Sequence, residues 1–176
     1  LRALKTSKLS FEKIMTESNK AYLYLIKLLS ARDYSEHKLK EKLQEKIRAK
    51  RFDATEAASA LNLVKEQGYL REEAYAEARV KGFMSKGYSP NFIRHKLSQE
   101  HLTVTDESIG EIFSEYRISK EDQIERLARK KMGTKTVFDF DDESRILRFL
   151  ISKGHDFSSS KKVLKTLIQE VREQQN

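Results

Sequence analysis

The chain has 176 residues, 38% hydrophobic and 35% charged, with one proline, six glycines and no cysteine, so an all-β fold, a disulfide framework and a thiolate metal site are excluded. The longest apolar run, AYLYLIKLLSA at 21–31, carries Lys27 and is too short for a membrane span or a secretory signal, and a cytoplasmic location is expected. The formal net charge of +8 divides into +8 over residues 1–52, −3 over 53–118 and +3 over 119–176, which suits a polyanionic or acidic partner met along a surface rather than in one pocket.

Residues 1–19 form an N-terminal segment whose lack of an initiator methionine suits a trimmed start. A first repeat is expected over 20–68. Its opening helix carries Leu23, Ile26 and Leu29, flanked by Tyr22, Leu25 and Leu28, and ends near Arg32-Asp33. Ser35 reads as the N-cap of a second helix, with Leu39, Leu43 and Ile47 at i, i+4 and i+8. Asp53 or Thr55 starts a third, with Ala57, Ala58, Leu61 and Val64 inward and Gly68 as its stop.

A second repeat is expected over 69–118. Tyr75, Ala76, Val80 and Phe83 predict a helix that ends at Gly87, and Ser89-Pro90 opens the next, which carries Ile93 and Leu97. A further helix over about 105–116 carries Ile109, Ile112, Phe113 and Tyr116. The third unit, 119–176, is less faithful. It begins with a linker-like helix, KEDQIERLARKKM at 120–132, closed by Gly133. RILRFLISKG at 145–154 then places Leu147, Leu150 and Lys153 where Val80, Phe83 and Lys86 stand 67 positions earlier. Phe157-Ser158 follows two residues late, and Val163, Leu164, Leu167 and Ile168 line the last helix.

The repetition is most direct between SARDYSEHKLKEKL at 30–43 and MSKGYSPNFIRHKL at 84–97, which are offset by 54 residues. Each reads as a hinge: a basic helix end, an aromatic plug (Tyr34, Tyr88 and, in the third copy, Phe157), then a serine cap. One such unit buries too little apolar surface alone, and stacked units supply the missing core. The expected fold is all-α, an elongated tandem array of three-helix, helix-turn-helix-like repeats with about nine helices.

Motifs for catalysis are missing. MGTKT at 132–136 has Gly133 and Lys135 but no glycine cradle for phosphates, and neither H-E-x-x-H nor G-x-S-x-G occurs. His37, His95, His101 and His155 are scattered near helix ends or on helix surfaces and read as solvated or capping. The acidic cluster Asp139, Asp141, Asp142 and Glu143 has carboxylates close enough for Mg²⁺, but it directly precedes a helix, whose N-terminus negative charge complements. A hydrolase or nuclease built on that cluster would show Mg²⁺-dependent turnover lost in Asp141→Ala. No catalytic residue, metal or cofactor is expected. Tyr22, Tyr24, Tyr69, Tyr75, Phe83 and Phe92 can be read as base-stacking platforms, but most of them lie in phase with an apolar stripe and fit core packing, with Phe92, beside Ile93, expected to be partly exposed.

The basic residues remain. Arg32, Lys38, Lys42 and Lys46 gather around the first hinge, Lys81, Lys86, Arg94 and Lys96 around the second, and Arg145, Arg148, Lys153, Lys161 and Lys162 around the third. The run Lys46, Arg48, Lys50 and Arg51 closes a helix, where cations suit the dipole. Positive charge at every hinge is harder to ascribe to dipoles alone, and these residues are the candidates for binding a partner.

The hinges resemble those of the RecX family, bacterial regulators of the recombinase RecA. The match lies chiefly in GYLREEAYAEARVKGFMSKGYSPNFIRHKLSQEHL at 68–102, through Gly68, Glu72, Tyr75, Ala76, Val80, Gly87, Pro90, Ile93 and Leu97, and in RILRFLISKG. The resemblance covers roughly residues 20–170. Phe83 and Ser85 stand where the family tends to carry arginine, and Ser89 replaces a frequent glycine. The resemblance implies tandem three-helix units and a monomer that binds the RecA filament on single-stranded DNA. It also implies suppression of ATP hydrolysis, strand exchange and coprotease activity. Single- and double-stranded DNA, bound directly, are further expected partners. A different reading of the same cations is a helical protein that binds nucleic acid directly, without RecA.

Overall fold

The computed structural model describes residues 19–174; the N-terminal segment expected over 1–19 lies outside the described residues except for Asn19. Among the described residues the fold is all-α, with nine helices: α1 (Lys20–Ala31), α2 (Glu36–Arg48), α3 (Ala54–Glu66), α4 (Glu72–Ser85), α5 (Pro90–Gln99), α6 (Asp106–Glu115), α7 (Lys120–Met132), α8 (Phe140–Ser152) and α9 (Phe157–Glu173). No helix among them is long and apolar enough to cross a membrane. The chain divides into two compact units between Ala76 and Glu77, within α4.

Short polar side chains start the helices where the sequence places them. Ser35 accepts from the Lys38 N–H at 3.3 Å and Ser89 from the Phe92 N–H at 3.3 Å, with Pro90 at the first helical position. Asp53 accepts from Thr55 N–H at 2.7 Å. Each cap satisfies a donor that the helix leaves without a partner.

In the first unit α3 packs on α1 and on α2. Its core joins Tyr22, Leu25, Leu39, Leu43, Ala57, Ala60, Leu61 and Val64, and Tyr34 closes it from the hinge. Three expectations change here. Tyr69, grouped with aromatics that fit core packing, is half-exposed. Ala58 is exposed and Ala60 takes the inward place, because 57, 60, 61 and 64 make the helical stripe. Leu23 is also exposed: Ala21, Tyr22 and Leu25 already turn one face of α1 inward.

In the second unit α5 packs on α6, and α7, α8 and α9 pack on one another. The expectation that 120–132 is linker-like is wrong. Gln123 of α7 is buried, and Ile124, Leu127, Ala128 and Met132 lie in one core with Ile146, Leu150, Leu164, Leu167 and Ile168. Its charged residues mask a complete apolar stripe at Ile124, Leu127 and Ala128. Tyr116, expected on an apolar helix face, is half-exposed at the α6 C-cap.

The third hinge is also phased differently from expectation. Phe157 is 54% exposed and plugs nothing, and the N-cap of α9 is Asp156, which accepts from the Ser159 N–H at 2.8 Å. Gly154-His155-Asp156 therefore occupies the register of Gly87-Tyr88-Ser89, with no two-residue delay. His155 takes the plug's place. It is 3% exposed, not solvated, and its Nε2–H donates to the Gly87 carbonyl at 2.9 Å.

Candidate functional site

The second and third hinges meet back to back. The Ser89 N–H donates to the Lys153 carbonyl at 3.0 Å, His155 donates to Gly87, and buried Gln123 donates to the Met84 carbonyl at 3.1 Å. Gly154 makes this approach possible. Its φ is +87°, and a Cβ there would lie 2.5 Å from both Phe92 Cβ and Ser89 Oγ. Arg126 donates to the Ser85 carbonyl at 3.2 Å and ties the end of α4 to α7.

This junction gathers cations beside aromatic rings. Tyr88 and Phe92 stack with centroids 5.0 Å apart and planes 6° from parallel, and Phe83 meets Tyr88 edge-on at 5.7 Å. The Lys153 ammonium lies 4.0 Å from the Tyr88 centroid and 5.7 Å from that of Phe149, and Lys96 lies 5.4 Å from Phe92. Phe92 is half-buried, as its place beside Ile93 implies. Next to the stack is a groove of about 410 Å³ lined by Lys86, Leu127, Lys130, Lys131, Phe149 and Lys153. Lys131 lies 5.0 Å from the Phe149 centroid.

The groove brings two of the sequence-derived candidates together, Lys86 and Lys153. It adds two that sequence reasoning missed, Lys130 and Lys131. In sequence those two are an ordinary basic helix end, and only the packing of α7 against α8 gives them a common target.

The first hinge, in the other unit, forms its own cluster. Arg32 Nε donates to the Tyr34 hydroxyl at 2.8 Å with its guanidinium 4.8 Å from that ring, and Lys42 lies 5.8 Å from the same ring. Lys38 donates to the Tyr75 hydroxyl at 3.1 Å, and Lys46 sits 5.3 Å from the Tyr24 centroid.

Other candidates are engaged elsewhere. Lys81 pairs with Glu77 at 2.6 Å, which raises its pKa, and lies 5.3 Å from the Tyr116 ring. Arg94 pairs with Asp106 at 3.1 Å, Arg145 reaches Asp142 at 3.6 Å, and Arg148 donates to the Ser144 carbonyl at 3.2 Å. Lys161 lies over Phe157, and Lys162 lines a separate groove with Glu121, Glu125 and Glu170.

The acidic cluster acts as a cap. Asp139 accepts from the Asp142 N–H at 2.8 Å, and Asp142 returns a bond to the Asp139 N–H. Asp142 is buried against Lys135, whose ammonium holds its carboxyl below the usual range. Asp156 is likewise held well below the carboxylate range by Lys120 and the Ser159 N–H.

No family model matches the chain. It is similar to the regulatory protein RecX of Cronobacter sakazakii, with 27% identity over 136 residues, 74% of this chain and 81% of the relative. It is also similar to the protein of that name from Haemophilus influenzae (strain PittEE), with 32% identity over 114 residues, 65% of this chain and 72% of the relative. The RecX of Trichlorobacter lovleyi matches at 38% identity over 89 residues, 49% of this chain and 53% of the relative. A crystal structure of regulatory protein RecX matches the fold with a TM-score of 0.62 at 19% identity, covering 90% of this chain and 77% of the other.

Proposed function

The chain belongs to the RecX family of regulatory proteins, and from that premise we propose that it is a non-enzymatic negative regulator of RecA. It binds the RecA filament on single-stranded DNA and inhibits ATP hydrolysis, strand exchange and coprotease activity, in recombination, DNA repair and the SOS response. It acts as a cytoplasmic monomer without a cofactor.

The observation that carries this reading is the groove where Lys86, Lys130, Lys131 and Lys153 converge, none of them ion-paired among the described residues. Unneutralised cations on rigid helix ends attract a polyanion at little ordering cost. The repeats at 20–68, 69–118 and 119–176 carry further hinge cations, so several weak contacts on one chain add through effective concentration.

The test is RecA's ATP hydrolysis on single-stranded DNA as the protein is titrated in at moderate salt, beside the variant Arg32→Glu, Lys86→Glu, Lys153→Glu. Inhibition is expected well below one protein per RecA and is weakened in the variant. Direct nucleic-acid binding is the second reading, favoured by the same groove. It predicts DNA affinity that needs no RecA and falls steeply with salt. No inhibition of RecA, with DNA bound equally well in its absence, would replace the first reading by the second.

A further inference from the structure

The lysine groove holds more positive charge than its helices require. Lys86 stands one residue beyond α4, Lys130 and Lys131 in the last turn of α7, and Lys153 at the C-cap of α8. Each suits the negative end of its own helix, yet three helix ends together carry only about −1.5 charges, which four ammoniums exceed. At Lys40, Lys65, Arg94, Lys120 and Lys135 a carboxylate takes up such charge, and at Arg129 two do. In the groove the neighbours are aromatic instead, with Phe149 beside Lys131 and Lys153 and Tyr88 beside Lys153. A ring face holds an ammonium in place without neutralising it. The positive field is thereby kept and focused against the apolar wall of Leu127 and Phe149.

We propose that this groove binds a compact oligophosphate, the polyphosphate chain of a nucleoside triphosphate being the chemistry that fits. Its volume of about 410 Å³ falls within the range of small-ligand sites, roughly 300–1,000 Å³. A polynucleotide strand brings one negative charge per nucleotide, spread along its length. Four lysines lining one concavity match adjacent phosphates better than a line of separated ones. Leu127 and Phe149 give the base an apolar surface. The inference rests on the regulatory reading only for its consequence: free nucleotide would compete for the groove and make the hold on the filament sensitive to nucleotide concentration.

The experiment is calorimetric titration of the full chain with inorganic tripolyphosphate and, in separate arms, with ATP free of divalent cations and with a short oligothymidylate. The variant Lys130→Ser, Lys131→Ser is compared with Arg48→Ser, Arg51→Ser, which removes equal charge from exposed positions on another helix end. Circular dichroism checks that both keep their helices. Tripolyphosphate and ATP should bind saturably, with affinity about tenfold weaker in the lysine variant and within about twofold of wild type in the arginine variant. Equal weakening in both variants, no tripolyphosphate binding, or oligothymidylate binding that tripolyphosphate does not displace would each overturn the inference. Absence of tripolyphosphate binding by the wild-type chain with RecA inhibition intact sinks this inference alone, whereas wild-type tripolyphosphate binding without RecA inhibition sinks the regulatory reading alone.

Discussion

Gly154 and His155 do at the third hinge what no residue type announces by itself. Gly154→Ala would force an alanine to φ +87° and place its Cβ 2.5 Å from Phe92 Cβ and Ser89 Oγ. Left-handed backbone and overpacking together predict a loss of about 3 kcal/mol. Gly68→Ala, at φ +72° with open space around it, should lose only about 1 kcal/mol. Urea denaturation of the two variants checks the difference; equal losses would mean that the Phe92 contact does not matter. His155 carries the pH dependence. Burial pushes its pKa down, outweighing the bond to Gly87, while Lys120 lowers it and Asp156 raises it. Above the unfolded value of about 6.5 the ring is neutral in both states. As pH falls below that, the unfolded chain takes up a proton that the folded one resists, and stability drops by up to about 1.4 kcal/mol per pH unit until the folded pKa is reached. In His155→Gln, whose amide can still donate to Gly87, the drop in unfolding midpoint between pH 7.5 and 5.5 should shrink; an unchanged drop would place the titration elsewhere.

Helix starts were the most legible elements. Ser35, Asp53 and Ser89 cap where the sequence places them, because an N-cap bond is made within four residues and depends little on tertiary context. Ser89→Ala should therefore cost about 1 kcal/mol, read as a lower thermal midpoint with the helical content of the folded state retained; no change would mean that the 3.3 Å bond to Phe92 N–H contributes nothing. The third hinge was misread for a related reason. Searching for an aromatic followed by serine selects Phe157-Ser158, while the register is kept by a histidine and an aspartate that do the same jobs with different chemistry. Helix α7 was misjudged because its charged residues dominate its composition, although burial follows the spacing of Ile124, Leu127 and Ala128.

On the scale of the whole molecule, net charge and hinge recurrence pointed to a polyanion-directed surface, but not to which cations act together. If the groove matters, reversing Lys86 and Lys153 should weaken RecA inhibition more than reversing Arg48 and Arg51, since equal charge is removed in both. All-α class, helix spans, the caps at Ser35, Asp53 and Ser89 and the likeness of the first two hinges were determined by the sequence alone, because periodicity and capping are local. The meeting of Lys86 with Lys130, Lys131 and Lys153, the burial of His155 and the inward turn of α7 were decided only by tertiary structure. They join residues tens of positions apart, and a lysine at a helix end looks the same in sequence whether it faces open solvent or three others.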